Sequence, residues 1–95
     1  MDEVLKILGL ASRARKLILG SDMLKDLSKV KLIFLASDIS EKSKERFNKK
    51  AYYYQIDIID IYDSDTLSKA IGKNNIKALG IIDEGFKNTI KDKIK

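Results

Sequence analysis

Three short apolar runs, separated by segments of helical periodicity, set the architecture open to this chain. Lys31–Ala36 and Ala78–Ile82 are nearly continuous apolar runs, and Ile56–Ile61 is a third that is interrupted by two aspartates. Such runs predict strands that are covered on both faces. A shorter extended piece, Ile18-Leu19, ends at Gly20.

Between these runs, apolar residues recur at helical spacing, and residues that favour helix N-caps precede most of the stripes. The predicted stripes are Val4, Leu5, Leu8 and Ala11 after Asp2; Met23, Leu24 and Leu27 after Ser21 or Asp22; Phe47, Ala51 and Tyr54 after Ser40; Leu67, Ala70 and Ile71 after Asp63 or Ser64; and Phe86, Ile90 and Ile94. Strands that alternate with helices predict a mostly parallel sheet covered on both faces, which is a three-layer α/β/α sandwich. With 95 residues, no proline and no linker, we expect a single domain over 1–95.

Composition excludes several classes of function. The chain has neither cysteine nor histidine, so it lacks thiolate nucleophiles, disulfides and the commonest metal ligand and general base. We therefore expect no cofactor and no metal. The N-terminus has no signal segment and no apolar run is long enough to span a bilayer, so we expect a cytoplasmic protein without membrane contact.

The net charge of +5 is unevenly distributed. Residues 51–68 carry four aspartates and no Lys or Arg, whereas positive charge gathers in Arg13-Ala14-Arg15-Lys16, in Lys42–Lys50 and in the C-terminal third. Separate basic and acidic regions fit a protein that presents one face to a polyanion. A lysine-rich, solvated surface without such a partner explains the same distribution.

Two groups of residues suggest nucleotide binding, catalysis or metal binding, and each has a structural alternative. Gly72-Lys73 resembles part of a phosphate-binding loop, but Leu67 stands where that motif needs glycine, so a helix C-cap is the better interpretation. Asp38, Asp83 and Glu84 follow two predicted strands, where carboxylates could hold magnesium. They also fit turn or cap positions, which we favour because no nucleophile or phosphate loop accompanies them.

Two further sets of side chains each have a functional and a structural interpretation. Tyr52-Tyr53-Tyr54 could stack on bases, but consecutive helical residues point about 100° apart, so at least one ring is expected in the core. Lys87, Lys91 and Lys95 form a row that is typical of a solvated helix face.

The segment from Leu8 to Asp22 has the features of an RNA site. A basic turn containing Arg13, Arg15 and Lys16 leads into a short strand, then Gly20, then a predicted helix N-terminus. Backbone N–H groups at such an N-terminus favour anions. Asp22 at the same place could accept hydrogen bonds from base amino groups.

Four segments of the chain together form a recognisable pattern. In order they are Leu8–Ala11 with Arg13-Ala14, Lys16-Leu17 and Gly20; Leu32–Ser40; Lys69–Lys73; and Gly80–Phe86. Through this ordered set, which covers nearly the whole chain, the sequence resembles the kink-turn-binding ribosomal-protein superfamily, most closely its bacterial YlxQ-type branch. The resemblance implies an α/β/α sandwich around a four-stranded mixed sheet, and non-catalytic binding of a sharply bent RNA.

The resemblance also implies where RNA is bound. Members of the superfamily grip RNA at the N-terminus of the second helix and at two neighbouring loops. By position, these elements fall on Gly20, Ser21, Asp22 and Lys25; on the loop of Asp38, Ile39 and Ser40; and on Gly72, Lys73 and Asn74. In one departure, Asp22 and Met23 stand where RNA-binding members have an asparagine followed by an acidic residue.

Three classes of function follow for comparison. The first is a monomeric protein bound to ribosomal or other structured RNA, with ribosome association as an open possibility. The second is a protein-interaction module on the same fold, whose basic surface serves solubility. The third is a metal-dependent enzyme using Asp38, Asp83 or Glu84, which the absence of His and Cys disfavours.

Overall fold

A computed structural model describes residues 2–94 of the protein. Over this range the chain forms five α-helices, one 3₁₀ turn and four strands. In chain order they are α1 (Glu3–Arg13), β1 (Leu17–Leu19), α2 (Asp22–Lys25), the 3₁₀ turn (Leu27–Lys29), β2 (Leu32–Leu35), α3 (Glu41–Tyr54), β3 (Asp57–Ile59), α4 (Ser64–Ile71), β4 (Ala78–Ile81) and α5 (Glu84–Ile94). Each helix in the described range is too short or too polar to cross a membrane.

The strands form a mixed sheet in the order β1-β4-β2-β3. Strands β2 and β3 pair in parallel, while β4 is antiparallel to both β1 and β2. The expectation of a mostly parallel sheet is therefore wrong, and the mixed sheet implied by the family resemblance is confirmed. After the two-turn helix α4, the chain folds back so that the Ile76 N–H donates to Ser68 Oγ at 2.9 Å. Strand β4 therefore begins at the same end of the sheet at which β3 ends.

Helices cover both faces of the sheet, which confirms the three-layer sandwich. On one face α1, α4 and α5 pack against Leu32, Phe34, Leu79 and Ile81. On the other face α2, the 3₁₀ turn and α3 pack against Ile33 and Leu35. Successive residues of β2 therefore enter opposite cores, because side chains alternate across a strand. This explains why the run is apolar without interruption.

Local capping chemistry agrees with the sequence at three helices. Asp2 accepts a hydrogen bond from Val4 N at 2.7 Å, Ser40 accepts one from Ser43 N, and Asp63 accepts one from Thr66 N at 2.8 Å. Gly72 ends α4 in the left-handed region with φ +69°. Ser21 precedes α2 without a capping hydrogen bond, and that helix is one turn long, so Leu27 lies in the 3₁₀ turn instead.

Three predicted core positions, Tyr54, Ile61 and Ile94, lie outside the core, and Ile94, the last residue of α5, is 42% exposed. Tyr54 is exposed, as are Tyr52 and Tyr53, so the expectation that at least one of these rings is buried is wrong. Ala51 is the last buried residue of α3, and the final turn of the helix leaves the core. Ile61 is exposed too, because β3 is an edge strand that ends at Ile59, before Ile61 is reached.

Candidate functional site

The two ends of the sheet carry different groups of candidate residues. At one end, here called the cleft end, Gly20 N donates to Ala78 O at 3.0 Å and Ala36 N donates to Lys77 O at 2.8 Å. At the other, here called the far end, Ile82 N donates to Lys16 O at 3.0 Å and Lys31 N donates to Ile81 O at 2.7 Å. Strand direction therefore decides which predicted site residues meet.

A cleft of about 520 Å³ opens at the cleft end. Five residues predicted from the sequence line it: Gly20, Ser21, Asp38, Ile39 and Ser40. Six others complete its wall: Ser43, Arg46, Phe47, Asn75, Lys77 and Ala78. The β1–α2 and β2–α3 junctions thus meet, as the family resemblance implied, and they are joined by the first turns of α3 and the residues that lead into β4.

Gly20 occupies a conformation that suits its position. Its φ of +55° lies in the left-handed region, which residues with a Cβ adopt at a cost. A Cβ placed on Gly20 would find no atom within 4 Å. Because Gly20 lines the cleft, a side chain added at this position would reduce the space available to a ligand.

The start of α2 differs from the predicted anion site. Met23 N donates to Gly20 O and Leu24 N donates to Ser21 O, both at 3.1 Å, so these two N–H groups are already bonded. A one-turn helix also has only a small dipole. Lys25 and Asp22 form an exposed ion pair at 3.7 Å and are not among the residues that line the cleft.

Asp38 joins the β2–α3 loop to the start of α4. Its two carboxylate oxygens accept hydrogen bonds from Ser64 N at 2.8 Å and Ser64 Oγ at 2.7 Å, and Lys77 Nζ lies 3.5 Å away. These Ser64 hydrogen bonds lower the pKa of Asp38 from 3.8 to about 2. Asp38 therefore acts as a cap, as expected, but on α4 rather than on the helix that follows it.

The candidate metal ligands lie at opposite ends of the sheet. Asp83 Oδ2 accepts a hydrogen bond from Phe86 N at 2.9 Å and so caps α5 at the far end, whereas Asp38 lies at the cleft end. Antiparallel pairing of β2 with β4 separates the ends of the two strands, which the prediction had placed together. Residues 2–94 contain no group of three or more carboxylates arranged to hold a metal ion.

The basic turn after α1 lies at the far end, away from Gly20. Lys16 and Gly20 flank strand β1, and four steps of extended chain separate them by about 13 Å. Arg13, Arg15 and Lys16 are all exposed, and Arg15 turns the chain with a φ of +59°. The sequence had suggested that this turn adjoins the Gly20 junction, and the structure separates the two.

The third predicted element lies beside the cleft. Lys73 and Asn74 line a neighbouring groove together with Ser64, Asp65, Ser68 and Lys69 of α4. Asn75 lines both this groove and the cleft, so the two are adjacent. Gly72 itself lines neither, since it ends α4 in the left-handed conformation.

A row of cations on α3, within the basic Lys42–Lys50 segment, adjoins the cleft, although none of these residues was among the predicted site residues. Lys42, Arg46 and Lys49, here called the α3 basic stripe, line one groove, and Arg46 also lines the cleft. Their spacing of four and three residues places them on one side of the helix, away from the buried Phe47 and Ala51. That spacing was available in the sequence as the signal for this stripe.

The lysine row on α5 is engaged in exposed ion pairs. Lys87 Nζ lies 3.2 Å from Glu84 Oε1, and Lys91 pairs with Asp57. Lys95, the third member of the predicted row, lies outside the described residues. Exposed pairs of this kind contribute little free energy, so these lysines fit the expected solvated face.

Comparison with known protein families gives one family match and two similar curated proteins. The model of the ribosomal protein L7Ae/L30e/S12e/Gadd45 family matches residues 2–91. A protein of Enterococcus faecium named RNA-binding protein YlxQ is 33% identical over 96 residues, which cover 98% of this chain and 92% of the relative. Its namesake from Bacillus subtilis strain 168 is 31% identical over 87 residues, covering 88% of this chain and 87% of the relative.

Solved structures repeat the same architecture. A protein of unknown function from Bacillus halodurans C superposes with a TM-score of 0.93 at 32% identity, covering 99% of this chain and 98% of the other. A 15.5 kD RNA-binding protein from Giardia lamblia superposes with a TM-score of 0.79 at 15% identity, covering 97% of this chain and 82% of the other. At 15% identity, this similarity shows a shared fold and nothing more.

Proposed function

The chain belongs to the ribosomal protein L7Ae/L30e/S12e/Gadd45 family, and on that basis we propose that it is a non-catalytic RNA-binding protein. Both YlxQ relatives carry the name RNA-binding protein and align with most of this chain. Family membership, rather than any missing catalytic group, supports a non-catalytic role. The RNA that we propose is a structured one, ribosomal or kink-turn-like, bound at the cleft end of the sheet.

The main support for this proposal is that two predicted loops and a cation line the same cleft. Gly20 and Ser21 lie across the cleft from the Asp38–Ser40 loop, and Arg46 contributes a guanidinium to the same wall. Arginine donates several hydrogen bonds in a fork that matches phosphate oxygens. The absence of a side chain at Gly20 lets an RNA backbone approach closely.

The structure changes the proposed role of the second helix. With Met23 N and Leu24 N already bonded, we propose that the β1–α2 junction contacts RNA mainly through the space at Gly20 and the exposed Ser21. Asp22 and Lys25 then lie at the rim. We propose that Lys73 and Asn74, which line the adjacent groove, contact a second strand of a bent RNA.

The test is a titration of the protein with a kink-turn RNA and with an unbent duplex of equal length, at several salt concentrations. We expect tighter binding of the kink-turn RNA and an affinity that falls steeply with salt, because bound cations release counterions from phosphate. Arg46→Ala should lower affinity about tenfold, since it removes a charged hydrogen-bond donor. Lys93→Ala, an exposed cation on α5, is the matched control and should change affinity less than twofold, roughly.

The far-end cations provide a second comparison. A separation of about 13 Å exceeds the screening length of about 8 Å at physiological salt, so the triple variant of Arg13, Arg15 and Lys16 to Ala should cost less affinity than Arg46→Ala. A larger loss from the triple variant would mean that the RNA also occupies the far end. Equal affinity for both RNAs, unaffected by salt and by Arg46→Ala, would refute the proposed site.

We further propose that the single domain acts as a cytoplasmic monomer that associates with ribosomes. The family description, which is that of ribosomal proteins, supports the association. Sedimentation of a cell lysate through a sucrose gradient would test it, with the protein expected in ribosomal fractions and released from them by high salt. Gel filtration of the purified chain would test the monomer.

A further inference from the structure

The last turn of α3 exposes an aromatic cluster that the fold does not use. Tyr52 is 86% exposed and Tyr53 78% exposed, although aromatic side chains usually contribute to cores. The rings of Tyr53 and Tyr54 meet edge to face, with centroids 5.1 Å apart. That contact restricts the Tyr53 ring while leaving most of its surface open to solvent.

Tyr53 continues the α3 basic stripe along the same side of the helix. Lys42, Arg46, Lys49 and Tyr53 follow one another at intervals of four, three and four residues. At 100° per residue these four positions fall within about 60° of one another, and they span about 16 Å of helix. Lys49 lines both the groove shared with Lys42 and Arg46 and the groove that contains Tyr52 and Tyr53. The two grooves are therefore adjacent.

The charges along this path favour an anionic ligand. Within residues 2–94, no carboxylate lies near enough to pair with Lys42, Arg46 or Lys49, although Glu45 shares their groove. Three cations thus oppose one carboxylate. Asp57, beside the tyrosines, is already paired with Lys91. The path adjoins the cleft at Arg46, which lines both.

We propose that this side of α3 binds the unpaired strand that leaves the structured RNA, so that the cations contact its phosphates and Tyr53, with Tyr52, stacks on a base. Cations that follow a backbone and aromatic rings that stack on bases are the two components of single-strand binding sites. A path of about 16 Å accommodates up to about five nucleotides at 3.4 Å each. This assignment presupposes the RNA-binding function proposed above and extends it to flanking single strand.

The test compares RNAs that share one structured core but differ in their ends. One ends flush, and the others carry an extension of about five unpaired nucleotides on the 5′ or the 3′ side. We expect the extension on one side to raise affinity about tenfold. Tyr53→Leu should remove most of that gain while leaving affinity for the flush RNA unchanged, and Tyr53→Phe should keep it, because phenylalanine retains the stacking ring. Lys49→Ala should remove most of the gain and lower affinity for the flush RNA only slightly.

Matched controls separate this site from general effects. Lys93→Ala removes an exposed cation from α5, away from the α3 basic stripe, so it should keep most of the gain, as should Tyr53→Phe. Because Tyr53 and Lys49 are exposed, their variants should fold, which circular dichroism and thermal unfolding would confirm.

Each of the opposite outcomes has a distinct meaning. If the flush RNA binds but neither extension adds affinity, or if the gain survives Tyr53→Leu and Lys49→Ala, this inference is wrong and the cleft site stands. If a polyglutamate peptide binds the α3 basic stripe and the extensions add nothing, the surface serves an acidic protein and the inference is again wrong. If no RNA binds, the proposed function fails and this inference fails with it.

Discussion

Gly20 and Gly72 form a natural pair for separating RNA binding from folding. Both adopt a left-handed conformation, with φ of +55° and +69°, and a Cβ added to either would meet no atom within 4 Å. Only Gly20 lines the cleft, whereas Gly72 ends α4. We predict that Gly20→Ala and Gly72→Ala lose similar stability but that only substitutions of Gly20 weaken RNA binding.

The expected loss of stability follows from the backbone alone. A residue with a Cβ in the left-handed region costs about 1–2 kcal/mol relative to the right-handed one. Replacing glycine also restricts the unfolded chain, which returns about 0.4–1 kcal/mol. The net loss in the free energy of unfolding is thus roughly 0.5–1.5 kcal/mol for each variant. In a domain of this size that lowers Tm by roughly 2–12 °C.

The assay is thermal unfolding together with RNA titration at matched salt, at a temperature where both variants remain folded. Gly20→Val, which adds a branched side chain to a residue that lines the cleft, should lower affinity at least about tenfold, equivalent to about 1.4 kcal/mol. Gly72→Ala should leave affinity within about twofold, since its effect is on helix termination. If folded Gly20→Val binds RNA within about threefold of the unsubstituted protein, or if both glycines matter equally for affinity, the placement of the RNA at this cleft is wrong.

Three further predictions concern stability. Gln55 ends α3 at φ +56°, so Gln55→Gly should raise the free energy of unfolding by about 0.5–1 kcal/mol, and an unchanged or lower Tm would contradict this. Since the folded pKa of Asp38 is about 2 against an ordinary 3.8, the stabilisation it provides is present above about pH 4 and is lost as pH falls toward 2. Ser64→Ala removes the Oγ donor and keeps the backbone N–H, so unfolding measured across that range should show a shallower acid dependence in this variant. Identical curves would exclude the hydrogen bond from Ser64 Oγ as the cause. Gly80→Ala would place a Cβ 3.0 Å from Val30 Cγ1 inside the core, so it should destabilise the protein by about 1–3 kcal/mol. Unchanged stability in urea unfolding would contradict this, because it would mean that the core rearranges around the methyl group without loss of stability.

Most of the secondary structure could be predicted because it depends on neighbours in the chain. The caps at Asp2, Ser40 and Asp63 are hydrogen bonds to backbone groups two or three residues away. Gly72 ends its helix through its own conformational freedom. Local pattern was less informative at Tyr54, because helical spacing shows which side of α3 a residue occupies but not where the core beneath the helix ends.

The candidate site was predicted in part, and the gaps have a common origin. Resemblance to the family led to the Gly20 and Asp38–Ser40 junctions, which do meet at the cleft. Arg46 and Asn75 were missed because they approach the cleft from α3 and from the residues before β4, far from Gly20 in the chain. Proximity in sequence also suggested that Lys16 adjoins Gly20, although a strand between two residues carries them to opposite ends of a sheet.

Hydrophobic period and capping are properties of consecutive residues, so the strands, most helices and their caps could be predicted without coordinates. The antiparallel direction of β4 relative to β2 depends on packing between distant residues; it separates Asp38 from Asp83 and brings Asn75 and Lys77 to the cleft. An apolar run has the same pattern in either direction, so strand direction is set by how the connecting helices pack. The surface that we propose for RNA is therefore a consequence of strand pairing as much as of the residues themselves.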